Sequence, residues 1–139
     1  MGSWFSSVFD TMFAQPKKFN LMIVGLNNSG KTTILYKMKQ AEVHETTPTI
    51  GHNIEEIKVK NVSIKAWDLS GQERMRNVWK HYYETVSGIV FVVDCADRER
   101  ISDVNDELAK IVLDCPRTPL LILANKQDQS EAMRVEELT

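Results

Sequence analysis

The sequence predicts an α/β fold: a doubly wound, mostly parallel sheet with one antiparallel edge hairpin. Three observations carry that prediction. The runs Gly88–Asp94 (Gly-Ile-Val-Phe-Val-Val-Asp) and Pro119–Asn125 (Pro-Leu-Leu-Ile-Leu-Ala-Asn) are continuously apolar rather than alternating, which suits parallel strands covered on both faces. Between them Ile101, Val104, Leu108 and Ile111 recur at intervals of 3, 4 and 3 residues, the stripe of an amphipathic helix. Residues 25–32, Gly-Leu-Asn-Asn-Ser-Gly-Lys-Thr, match the phosphate-binding pattern G-x-x-x-x-G-K-[ST]. They stand between an apolar strand, Phe19–Val24, and a helix, Lys31–Gln40, so strands alternate with helices.

In chain order, Met1-Gly2-Ser3-Trp4-Phe5-Ser6 fits M-G-x-x-x-[ST], which marks Gly2 for N-myristoylation. Trp4, Phe5, Val8, Phe9, Met12 and Phe13 then share one helical face, with Ser3, Ser6, Ser7, Asp10 and Thr11 on the other. Residues 1–17 therefore read as an interfacial amphipathic helix and residues 18–139 as one globular domain. A secretory signal is excluded by the missing basic start and the interrupted apolar stretch. After the loop helix, Ala41–His52 is polar and irregular around Pro48. Asn53–Val59 and Val62–Trp67 then alternate as strands about a Lys60-Asn61 turn, an antiparallel hairpin at a sheet edge.

The 139 residues suffice to bury roughly two-thirds of the unfolded chain's surface. Apolar content of 42% and charged content of 26% are ordinary for a globular domain. With 17 basic and 19 acidic residues the net charge is −2, and without a basic run a nucleic-acid partner is not indicated. Cys95 and Cys115 lack metal or redox spacing, so they are expected to be small apolar residues in or near the core of a protein in a reducing compartment. No stretch approaches the ~20 apolar residues of a membrane span.

The motifs specify nucleotide chemistry. Gly25 and Gly30 let the backbone curl so that N–H groups, those of Asn28 and Ser29 among them, can face an anion at a helix N-terminus. Lys31 can reach β- and γ-phosphates, and the Thr32 hydroxyl can ligate Mg²⁺. Within Pro48-Thr49-Ile50-Gly51, Thr49 is the candidate for a second Mg²⁺ hydroxyl, ordering its loop when a γ-phosphate is present. Asp68 ends the second hairpin strand, where it can hold a Mg²⁺-bound water. The Gly71 N–H can approach the γ-phosphate, and Gln72 can orient an attacking water. Asn125-Lys126-Gln127-Asp128 is N-K-x-D, whose Asp128 carboxylate can accept from guanine N1–H and N2–H₂. Adenine would leave that carboxylate unpaired, which disfavours an ATP-dependent phosphotransferase.

These segments, with Asp97-Arg98-Glu99-Arg100 and the Trp67 before Asp68, resemble the ADP-ribosylation factor (Arf/Arl) branch of the Ras-like small GTPases, the P-loop fold, over essentially the whole chain. The resemblance implies a GTP/GDP switch with Mg²⁺ as its cofactor. Lys31 would bind the β/γ-phosphates, Thr33 the α-phosphate, Thr32 and Thr49 the metal; Gln72 would be catalytic, and Asn125, Lys126 and Asp128 would hold guanine. GTP hydrolysis is expected to be slow, because no motif places an arginine in cis near the phosphates. An activating protein would supply one, worth roughly 10³- to 10⁵-fold in rate.

The resemblance also implies an exchange factor as partner, effectors read through His52, Trp67 and Tyr82, and a cytoplasmic protein reversibly attached to membranes in vesicle traffic, with the Golgi as the expected organelle. In this family the hairpin slides two residues on GTP binding and ejects the N-terminal helix, a slip that keeps every side chain on its face. One myristoyl chain binds membranes only marginally, at around 10⁴ M⁻¹, so the helix would be the second anchor.

Three positions depart from the family. Ser70 replaces the first of two glycines, at a cost of order 1 kcal/mol if φ is positive there. His52 replaces a phenylalanine of the effector surface, and Asn27-Asn28 replace Asp-Ala. The chain reaches Thr139 an expected turn or two into the helix after N-K-x-D, so the last strand and C-terminal helix are expected to be missing and nucleotide retention weak. The alternative function is a non-hydrolysing nucleotide-binding adaptor or structural subunit.

Overall fold

The computed structural model describes residues 19–41, 54–59, 62–68 and 82–138. In order these form β1 (Phe19–Gly25), α1 (Lys31–Ala41), β2 (Ile54–Val59), β3 (Val62–Asp68), β4 (Gly88–Asp94), α2 (Ile101–Asp114), β5 (Leu120–Asn125) and a 3₁₀ turn, Val135–Leu138. The strands make one sheet in the order β2-β3-β1-β4-β5. β2 against β3 is the antiparallel edge hairpin, with Val59 opposite Val62, and the other three pairings are parallel.

Both faces of the sheet are covered at its centre, which is why Leu21–Val24 of β1 and Ile89–Val93 of β4 are continuously apolar. On one face Met22, Val24, Ile89, Phe91 and Val93 pack with Val104 and Ile111 of α2, and with Tyr83 and Met133. On the other, Ile23, Val92, Ile57, Ile64 and Ala66 enclose Leu35 of α1. Neighbours along a strand thus serve opposite layers. Cys95 and Cys115 lie buried in the first layer, and burial pushes both thiols up from their ordinary pKa, so they behave as small apolar groups.

Chain connections leave the C-terminal end of β1 toward β3 and leave β4 toward β5, so strand order reverses between β1 and β4. Crevices at such reversals, beyond the carboxyl ends of parallel strands, are where open α/β sheets bind ligands. Gly25 pairs with Asp68, and Asp94 pairs with Asn125, so motif residues from four strands align along that end.

Two boundaries differ from expectation. Pro119 precedes β5 rather than starting it: its carbonyl accepts from Ile89 N–H at 2.9 Å, but proline has no N–H to donate in return. The segment after N-K-x-D is not an α-helix. Gln127 Nε2 donates to Met133 O at 3.0 Å and Met133 N–H to Cys95 O at 2.8 Å, which spreads residues 127–133 across the strand ends. Among the described residues the 3₁₀ turn follows, begun where Arg134 N–H donates to the Glu137 carboxylate at 2.7 Å. At the β5 edge, Leu121 and Ile122 are exposed.

Candidate functional site

The loop between β1 and α1 is shaped by three residues with positive φ: Gly25 at +158°, Asn28 at +62° and Gly30 at +100°. A Cβ on Gly25 would lie 2.5 Å from Val92 O of the neighbouring strand, so the loop leaves β1 too close to β4 for any side chain. A Cβ on Gly30 would collide with the Asn125 amide. Asn28 occupies the left-handed region that asparagine tolerates better than other non-glycine residues.

Five successive carbonyls of this loop accept side-chain hydrogen bonds. Lys31 Nζ donates to Gly25 O at 2.9 Å and Leu26 O at 2.6 Å, from a buried position that also brings it within 3.4 Å of Ser29 Oγ. Arg100 Nη2 donates to Asn27 O at 3.1 Å, Lys126 Nζ to Asn28 O at 2.6 Å, and Asn125 Nδ2 to Ser29 O at 2.8 Å. Peptide N–H and C=O groups are antiparallel. Holding the carbonyls of Asn27 and Ser29 on these donors therefore turns the N–H groups of Asn28 and Gly30 away from those donors, while the Ser29 N–H, expected to face an anion, instead donates to Leu26 O at 3.3 Å. The helical ladder then begins with Ile34 N–H on Gly30 O at 3.0 Å, so the N–H groups of Thr32 and Thr33 belong to the helix's open first turn. The loop amides and a helix N-terminus are a donor set suited to a polyphosphate, whereas the Lys31 ammonium, expected to reach the β- and γ-phosphates, here spends its donors on Gly25 O, Leu26 O and Ser29 Oγ.

The N-K-x-D loop is built onto this one. Asp94, at the end of β4, accepts from Ala96 N–H at 3.0 Å and pairs with Lys126 Nζ at 2.5 Å, both side chains being largely shielded. Lys126 holds a φ of +66°, a strained conformation for a long side chain and one that marks a constrained site. Gln129 N–H closes a turn on Lys126 O at 3.1 Å, which leaves the Asp128 side chain exposed at the turn, open to a ligand edge. Asn125 and Lys126, expected to hold guanine, thus spend hydrogen bonds on the phosphate loop, and the exposed carboxylate of the motif is Asp128.

Thr32 and Thr33 are exposed in the first turn of α1, and Asp68 ends β3 beside Gly25. Tyr82 lies apart from the loop, half-buried, with Lys65 Nζ 5.3 Å from its ring centre. Gly2, Thr49, His52, Gly71 and Gln72 fall outside the described residues, as do the side chains of Trp67 and Asp68. Asp94 and Arg100 are site residues that sequence reasoning missed. Asp94 could have been found from its place at the end of an apolar strand in line with Asn125; Arg100 stands in the Asp97-Arg98-Glu99-Arg100 segment that carries the resemblance, but nothing in that segment points to the phosphate loop. No helix among the described residues is long and apolar enough to cross a membrane.

Compared with known families, the chain matches the model of the ADP-ribosylation factor family over residues 5–139.

Proposed function

Since the chain belongs to the ADP-ribosylation factor family, small GTPases that bind guanine nucleotide with Mg²⁺, we propose that it is a GTP/GDP switch that hydrolyses GTP slowly and recruits effectors to membranes in vesicle traffic. One observation carries the reading: Asn125 and Lys126 of the purine-reading motif donate to Ser29 O and Asn28 O of the phosphate loop. A guanine nucleotide would then meet its base-reading and phosphate-binding loops as one connected body, which supports the reading.

In this reading Asp128 takes the guanine N1–H and N2–H₂. The loop amides and Lys31 take the phosphates, with Thr33 at the α-phosphate and Gly71 at the γ-phosphate. Thr32 and Thr49 would hold Mg²⁺, with Asp68 acting through a water; the ion neutralises charge on the β- and γ-oxygens. Gln72 orients the water, and an activating protein adds an arginine. His52, Trp67 and Tyr82 form the effector surface. The residue 1–17 helix and a myristoyl group on Gly2 attach the cytoplasmic protein reversibly to a membrane, with the Golgi as the proposed organelle.

Calorimetry with Mg²⁺ tests the core of this proposal. GDP and GTP should release binding heat where ADP and ATP do not, because adenine offers the Asp128 carboxylate no donor pair. No heat from either guanine nucleotide overturns it. Single-turnover phosphate release then separates a hydrolysing switch from a non-hydrolysing adaptor. Flotation of the acylated protein with liposomes should be stronger with a non-hydrolysable GTP analogue than with GDP, and equal flotation refutes the membrane coupling.

A further inference from the structure

Arg100 immediately precedes α2, a helix fixed in the core by Val104 and Ile111, and its carbonyl accepts the first helical bond from Val104 N–H at 3.0 Å. Its guanidinium reaches away from that helix to the phosphate loop. Nε donates to Asp97 Oδ2 at 2.5 Å, and the Arg100 backbone N–H donates to the other Asp97 oxygen at 3.3 Å. Nη1 donates to the side-chain oxygen of Asn27 and Nη2 to its carbonyl. One planar group thus joins a carboxylate on the β4–α2 connection to both oxygens of a residue 73 positions earlier.

We infer that Arg100 is a positioning residue that braces the phosphate loop at Asn27 and slows nucleotide release. The inference rests on the reading of this loop as a nucleotide site. Lys31 holds residues 25 and 26 from within the loop, and the N-K-x-D motif holds residues 28 and 29. Asn27 is the remaining member of the series, and Arg100 closes it from a rigid helix. The fork geometry matters, because an ammonium is a single point and cannot span Asp97 and both Asn27 oxygens. Asn27 also makes the brace asymmetric: its amide is neutral, so Asp97 is the carboxylate that orients the guanidinium while the loop end accepts without adding negative charge beside a phosphate.

The test is the release rate of fluorescent N-methylanthraniloyl GDP, with Mg²⁺, from the full chain. Arg100→Ala should release it about tenfold faster, the scale of one or two lost charge-assisted hydrogen bonds. Arg100→Lys should not restore the rate, although a role limited to charge or helix packing would be rescued. Asn27→Ala cuts the Nη1 half of the link and keeps the carbonyl that Nη2 uses, so it should accelerate release by less than Arg100→Ala does and add little in the Arg100→Ala background. An unchanged rate in Arg100→Ala, or full multiplication of the two effects, overturns the brace. If Arg100→Ala does not fold, Asn27→Ala decides alone, and a wild-type rate there overturns it. A wild-type chain that binds no fluorescent GDP overturns the nucleotide reading and the brace together, whereas normal binding with unchanged variants overturns the brace alone.

Discussion

Replacing Gly30 by alanine drives a Cβ into space that the Asn125 amide occupies, so two separable costs follow. The first is backbone strain, since a φ of +100° costs a residue with a side chain about 1–3 kcal/mol. The second is loss of the 2.8 Å bond from Asn125 Nδ2 to Ser29 O, because the short asparagine side chain cannot withdraw and keep it; that contributes about 1 kcal/mol. The sum is about 2–4 kcal/mol. For 139 residues an unfolding entropy of about 2.1 cal/mol/K per residue converts each kcal/mol to roughly 3.4 °C, so Tm should fall by about 7–14 °C. Circular dichroism melts of nucleotide-stripped protein measure this without the contribution of bound ligand. Asn125→Ala removes the bond and the obstruction together, so Gly30→Ala in that background should cost only the strain. The two substitutions should then fall short of additivity by about 1 kcal/mol. Additive effects would refute the steric link between the two loops, and an unchanged Tm in Gly30→Ala would refute the loop conformation itself.

Asn28→Ala should destabilise by about 0.5–1 kcal/mol in urea unfolding while Asn28→Gly is neutral or better, because φ of +62° is the obstacle and the carbonyl that Lys126 uses is retained. Asp94→Asn, which leaves Lys126 without its counter-charge at a site where the two side chains are only 27% and 13% exposed, should speed GDP release about fivefold, equivalent to about 1 kcal/mol. The Arg100 guanidinium, chiefly through its hydrogen bond, holds the Asp97 carboxyl below its ordinary 3.8. A depressed folded pKa contributes stability that is fully present above the unfolded value and is lost as pH falls through the folded one. The urea midpoint should therefore drop as pH falls below the ordinary 3.8 of the carboxyl, and drop less in Arg100→Ala, where folded and unfolded carboxyls titrate more alike; equal drops would remove Asp97 from the acid response.

The sheet was legible because parallel strands write burial on both faces into the sequence: Gly88–Asp94 and the run ending at Asn125 could serve little else. The edge hairpin was legible from alternation, and Lys31, Gly30 and Asn125 from motif spacing. Contacts between loops were not legible. Asn125 meets Ser29 across 96 positions and Arg100 meets Asn27 across 73, and no local pattern records which side chain will fold onto which carbonyl. The expected helix after N-K-x-D failed for a related reason. Glu131-Ala132-Met133-Arg134-Val135-Glu136-Glu137-Leu138 is rich in helix formers, but burial of Met133 and its bond to Cys95 O outweigh a preference worth tenths of a kcal/mol per residue.

The donors that hold carbonyls 27 to 29 come from the ends of two other elements, β5 for Asn125 and Lys126 and α2 for Arg100. Lys31, the first residue of α1, fastens the opening residues of the loop, and within the loop Ser29 N–H donates to Leu26 O. A polyphosphate needs N–H groups already turned toward it, because ordering each residue at binding would cost about 1–2 kcal/mol of backbone entropy. Here that ordering is achieved on folding, by two cations and one amide anchored on rigid elements. In the proposed function the same anchoring would tie purine recognition to phosphate recognition, because Asn125 and Lys126 donate to Ser29 O and Asn28 O of the phosphate loop. A base held by Asp128 would then bear on the two residues that grip that loop, and selectivity for guanine would be expressed in how firmly a polyphosphate is held.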